Sequence, residues 1–138
     1  MSRIINTADP GKLRSQHRRT IAEVLRHLMF KRRFDDETKD MAAVLVVALR
    51  GIAETIETTV TAWEKRDYYL KADRFRLEWE WVAPAAERLY DIAALGRWEE
   101  LAPELAALLP RFSDIRIAKF TRDPSAWKGS YDALMKKG

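Results

Sequence analysis

The side chains best suited to acid–base or metal chemistry in this chain are His17, His27 and the carboxylates; there is no cysteine. Thiolate nucleophiles, disulfides and cysteine metal ligands are therefore excluded. The two histidines fall on one helix-like segment, nearly three turns apart, and cannot chelate one ion together within a monomer. Glu23 and His27 are four positions apart and face one another, a spacing that suits a surface or core-edge contact. Glu54 and Glu57 also share a helix face, but no Glu-x-x-His accompanies them, so the pattern of carboxylate-bridged di-metal bundles is missing. Neither histidine follows an arginine at the spacing used by helical ribonuclease domains. The sequence contains no glycine-rich phosphate loop, nucleophile elbow or His-Glu-x-x-His motif. It predicts a non-enzymatic protein that needs no cofactor and no metal.

The cations offer a different chemistry. Arg14, Arg18, Arg19, Arg26, Lys31, Arg32 and Arg33 concentrate on and just after the first helical segment, where they are suited to neutralising phosphates and releasing counterions. Residues 1–33 carry nine basic side chains against Asp9 and Glu23, whereas residues 34–64 carry seven acids against Lys39 and Arg50. Residues 111–138 are basic again, seven against three. Two readings follow. Basic ends pack beside the acidic middle of the same molecule, or they form a surface for an anionic partner such as nucleic acid. Trp63, Tyr68, Tyr69 and Trp81 lie near Lys65, Arg66, Lys71, Arg74 and Arg76. Such rings either stack unpaired bases or anchor a core or an interface. Asp67, Asp73, Glu78 and Glu80 dilute that second basic group, and no helix-turn-helix or RNA-binding motif is present.

These residues must be held by helices. In 138 residues, hydrophobic content is 47% while Gly and Pro number only 5 each, which favours long helices in one domain. The first residues lack the apolar core of a signal peptide, and the longest apolar run, Met41 to Leu49, is far too short to span a membrane. A soluble, cytoplasmic protein is expected.

Residues 1–9 read as a tail, and Asp9-Pro10 as the cap and first turn of a helix that runs to about Lys31. Asp35 or Asp36 caps a second helix reaching Trp63 or Glu64, with heptad-like apolar spacing through Met41, Leu45, Ile52 and Ile56. Gly51 inside it either permits close approach of a neighbouring helix or is simply tolerated. Lys65-Arg66-Asp67 is the best place for a reversal, the alternative being one long helix from 36 to 95. A third helix would cover about 68–95, kink or divide into two pieces at Pro84, and stop at Gly96. A fourth would start near Arg97 and bend at Pro110, and Asp123-Pro124 would open a short terminal helix bearing Trp127, Tyr131 and Leu134. The expected architecture is an all-α, antiparallel up-down four-helix bundle over residues 10–138 with a short additional C-terminal helix.

Trp79-Glu80-Trp81 sharpens the functional expectation, because residues two apart on a helix do not share a face. Ala72, Phe75, Trp79, Val82, Ala86, Leu89 and Ala93 form one apolar stripe; Leu70, Leu77, Trp81 and Ala85 form a second on the other side. A helix apolar on two sides is central in its domain or covered by a partner. The sequence thus predicts an interaction scaffold, a homo-oligomer or protein-bound subunit, with Leu70, Leu77, Trp81 and Ala85 at the interface. The alternative is a small basic accessory subunit that binds RNA or single-stranded nucleic acid through the seven cations named above.

Overall fold

The computed structural model describes residues 9–138, so the expected tail lies outside the described residues except for Asp9. The fold is all-helical. Its α-helices are α1 (Pro10–Met29), α2 (Asp36–Lys65), α3 (Tyr69–Glu78), α4 (Val82–Leu95), α5 (Leu101–Leu108) and α6 (Ser130–Lys137), with no strand among the described residues. Local chemistry sets the boundaries. The Asp9 carboxylate accepts the Lys12 amide, and Pro10 sits in the first turn of α1. Asp35 caps α2 and exchanges a second hydrogen bond with Thr38, closing a capping box. Gly96 takes the left-handed conformation, φ 68°, that ends α4.

α2 is the spine. At 30 residues it is about 45 Å long, and it packs against α1, α3, α4 and α6. Met41, Leu45, Leu49, Ile52, Ile56 and Val60 are buried along it. α1 runs antiparallel to α2: Arg14 lies beside Thr55, His17 beside Gly51, and Lys31 beside Glu37. A Cβ at Gly51 would stand 2.4 Å from the His17 ring, so the glycine is what lets the imidazole sit between the two helices. Burial holds the His17 pKa below its ordinary value against the pull of Glu54. α3 and α4 return along α2, with Phe75 against Trp63 and Glu87 paired to Arg50. α6 lies along α2 in the same direction as α2, from Trp127 at Glu37 through Tyr131 at Asp40 to Gly138 at Arg50.

The third helix departs from expectation in the position of its break. Of a kink and a division it takes the division, leaving α3 and α4 as separate helices, but at Trp79–Trp81 rather than at Pro84. A proline ring clashes with the carbonyl four residues upstream, here that of Glu80, so the break falls before the proline. Pro84 then occupies the first turn of α4, where a missing N–H costs nothing. The reversal at residues 66–68 is as expected and leaves Asp67 at φ 64°. The single bent fourth helix resolves into a 3-10 turn at Trp98–Glu100, α5, and a second 3-10 turn at Leu109–Phe112 that contains Pro110. Asp123-Pro124 opens only a 3-10 turn; α6 starts afterwards, at Ser130.

Candidate interaction surfaces

Glu23 organises the first surface. It is 0% exposed and accepts hydrogen bonds from Arg19 Nε at 2.7 Å, the Thr121 amide at 2.8 Å, the Thr121 hydroxyl at 2.7 Å and the Arg122 amide at 2.8 Å. Burial alone would raise its pKa, but the donors outweigh burial and hold the carboxyl at about 2. This carboxylate therefore clamps the irregular segment 113–123 onto α1. His27, one turn further on, stacks on Phe120 with ring centroids 4.0 Å apart. Its role is packing against the clamped segment.

Four of the seven candidate nucleic-acid-binding cations are engaged inside the molecule. Arg14 donates to Thr55 and lies 5.0 Å from the Phe75 ring centroid. Arg18 forks onto Asp114 at 2.7 and 3.1 Å and also donates to the Arg111 carbonyl. Arg19 adds the carbonyls of Arg116 and Lys119 to its Glu23 contact. Lys31 bridges Asp35 at 3.1 Å and Glu37 at 2.9 Å. Arg26, Arg32 and Arg33 are exposed and form no ion pair among the described residues.

Of the four candidate stacking aromatics, Trp63 and Trp81 are also occupied. Trp79 and Trp81, expected on opposite sides of one helix, lie side by side because the helix breaks between them: their centroids are 6.4 Å apart at 24°. The Arg111 guanidinium covers Trp81 at 4.6 Å, and Lys71 covers Trp63 at 4.4 Å. On these two rings cations of this chain already sit where stacked bases would lie, whereas Tyr68 and Tyr69 are exposed.

The four candidate interface residues divide. Trp81 packs edge-on against Phe112 and Ala85 is buried, so both face inward. Leu70 and Leu77 are 64% and 65% exposed, two turns apart on the α3 face opposite buried Ala72. Asp73 and Arg74 lie between them on that face, and Tyr68 and Tyr69 are exposed at its start.

The residues that sequence pattern did not reveal line a groove of about 690 Å³ between the C-terminal half of α1 and the α5–Ile117 stretch. Leu25, Met29 and Phe30 form one side; Leu109, Ile115 and Ile117 form the other. A local signal did exist: Met29-Phe30 extends apolar character beyond the buried part of α1 and is followed at once by Lys31-Arg32-Arg33.

No helix among the described residues is long and apolar enough to cross a membrane. No group of three metal-ligating side chains clusters among the described residues. Compared with known proteins, the chain matches no family model, no curated protein and no solved structure.

Proposed function

We propose that this chain is a non-enzymatic, cytoplasmic interaction protein: an antiparallel up-down four-helix bundle with α6 appended, which self-associates through the outer face of α3. The exposed pair Leu70 and Leu77 carries the reading, because two large aliphatic side chains on one short helix leave apolar surface in water. The face is also self-complementary. Two copies of α3 packed antiparallel about a two-fold axis between Asp73 and Arg74 set Leu70 against Leu77 of the second copy. They set Asp73 beside Arg74 of the second copy as well, and each contact occurs twice.

Light scattering after size exclusion tests this. The wild type is expected at dimer mass and the Leu70→Glu/Leu77→Glu variant at monomer mass, with unchanged circular dichroism. A wild type that stays monomeric at high concentration refutes the proposal.

The second reading, an RNA- or single-strand-binding accessory subunit, draws support from Arg26, Arg32 and Arg33 beside exposed Phe30. It has lost Arg14, Arg18, Arg19 and Lys31 to internal contacts. A raised 260 nm absorbance on the same column, removed by salt, would place this reading first.

A further inference from the structure

The groove between α1 and the α5–Ile117 stretch has a composition of its own. Of its twelve lining residues only one is charged, and that one is Arg26. Met29 is 58% exposed and Phe30 is 73% exposed, so the apolar side chains at its α1 end stand open to solvent. Arg26 lines it, and three further exposed cations adjoin its lining residues in the chain: Arg32 and Arg33 follow Phe30, and Arg116 stands between Ile115 and Ile117. None of these four arginines forms a side-chain ion pair among the described residues. An apolar floor between two walls accepts a single row of side chains, the shape offered by one face of a helix. The basic rim selects the charge flanking that row. A membrane surface would instead favour apolar side chains on a convex tip; here Leu25, Leu109, Ile115 and Ile117 lie in the walls of a recess. Nucleic acid would find charge but only one exposed aromatic ring, Phe30, since Phe112 is buried and the other apolar lining residues are not aromatic.

We infer that this groove binds an acidic amphipathic helix of a partner protein. The ligand's leucine-type residues at i, i+3 or i+4, and i+7 fill the groove, and its flanking carboxylates pair with Arg26 and Arg116. The site is separate from the α3 face and does not depend on self-association.

The probe is a fluorescein-labelled synthetic helix with leucine along one face and glutamate elsewhere, titrated with the full chain and read by anisotropy. A second peptide replaces every glutamate with lysine. The glutamate peptide binds and the lysine peptide does not. Arg26→Glu/Arg116→Glu weakens binding by about tenfold or more. Phe30→Asp, an exposed position, abolishes binding even in high salt. Leu70→Glu/Leu77→Glu leaves it unchanged, which separates this groove from the α3 interface. Equal binding of both peptides, or indifference to the arginine reversals, overturns the inference. So does binding of phosphatidylserine-containing vesicles or single-stranded RNA by a chain that does not prefer the glutamate peptide.

Discussion

On α1, Arg14, Arg18 and Arg19 each reach an acceptor elsewhere in the chain, whereas on α3 Leu70 and Leu77 remain in solvent. The contrast runs against ordinary expectation for the two residue types. Its cause lies in the segment 113–123, which has no helix of its own and whose carbonyls lack helical partners. The five donors of a guanidinium reach several acceptors at once, so Arg19 satisfies the carbonyls of Arg116 and Lys119 in this segment, and Arg18 that of Arg111 in the 3-10 turn just before it. Cation density on α1 is thus largely structural. α3 is short and turns only Ala72, with part of Phe75, toward the core. Its outer face does nothing for the fold of the monomer, which makes it the place to look for a partner.

The comparison breaks most easily at Glu23. Glu23→Gln keeps the shape but removes the charge that four donors address. A carboxyl held at about 2 instead of 4.5 corresponds to stability of about 3 kcal/mol at neutral pH. Because the folded pKa is the lower one, this stability is complete above the ordinary carboxyl range. It is lost as pH falls toward 2. Urea unfolding should show the variant about 3 kcal/mol less stable at pH 7, with a shallower loss between pH 5 and pH 2. Leu77→Glu on α3, compared at protein concentrations low enough for both to be monomeric, should stay within about 0.5 kcal/mol of wild type. If the two variants cost the same, α1 is not the structural helix and α3 is not the idle one.

A smaller effect sharpens the α1–α2 contact. Gly51→Ala brings a Cβ to 2.4 Å from the His17 ring, which must move. It should destabilise by about 1 kcal/mol in thermal or urea unfolding, overpacking outweighing the gain in helix propensity. In a His17→Ala background the clash is gone and only propensity remains, so the same substitution should stabilise by about 1 kcal/mol. A change of sign between backgrounds is the result to look for; destabilisation in both would mean that something other than the ring requires the glycine.

Legibility in the sequence followed the range of the interaction. Asp9 and Gly96 are readable, and the cap of α2 to within the pair Asp35 and Asp36, because capping joins groups a few residues apart. The close approach at Gly51 was readable in kind, although His17 as the group that approaches was not. The break at Trp79–Trp81 was misplaced because a proline acts on a carbonyl one turn upstream, so its mark in the sequence and its effect on the chain are at different residues. That shift also dissolved the second stripe, turning Trp81 and Ala85 inward while Leu70 and Leu77 stayed outside. Arg18 meets Asp114, and Glu23 meets Thr121, across more than ninety residues. No periodicity reports such a pairing, so the sequence leaves both readings of the arginines open, packing within the molecule and a basic surface. The groove escaped for the same reason: Leu109, Ile115 and Ile117 meet Leu25 and Met29 only after folding.

The smallest effect concerns the hinge that sets α3 in place. Asp67 holds φ 64°, the one non-glycine residue with positive φ among the described residues. The amides of Arg66, Asp67 and Tyr68 all donate back to the carbonyls of Trp63 and Glu64, so the left-handed residue is what reverses the chain within three positions. An L side chain pays about 1 kcal/mol for that conformation, less for Asp than for most. Glycine carries no such cost there, but it is freer in the unfolded chain, which offsets part of the gain. Asp67→Gly should therefore stabilise by about 0.5 kcal/mol, measurable as a small rise in urea midpoint without a change in slope. Asp67→Val should do the opposite by about 1 kcal/mol, since a β-branched side chain fits the left-handed region worst. If Asp67→Val also shifted the proposed dimer to monomer without unfolding the chain, the turn would be setting the exposed face of α3 as well as the fold, tying the outward-facing helix to the geometry that presents it.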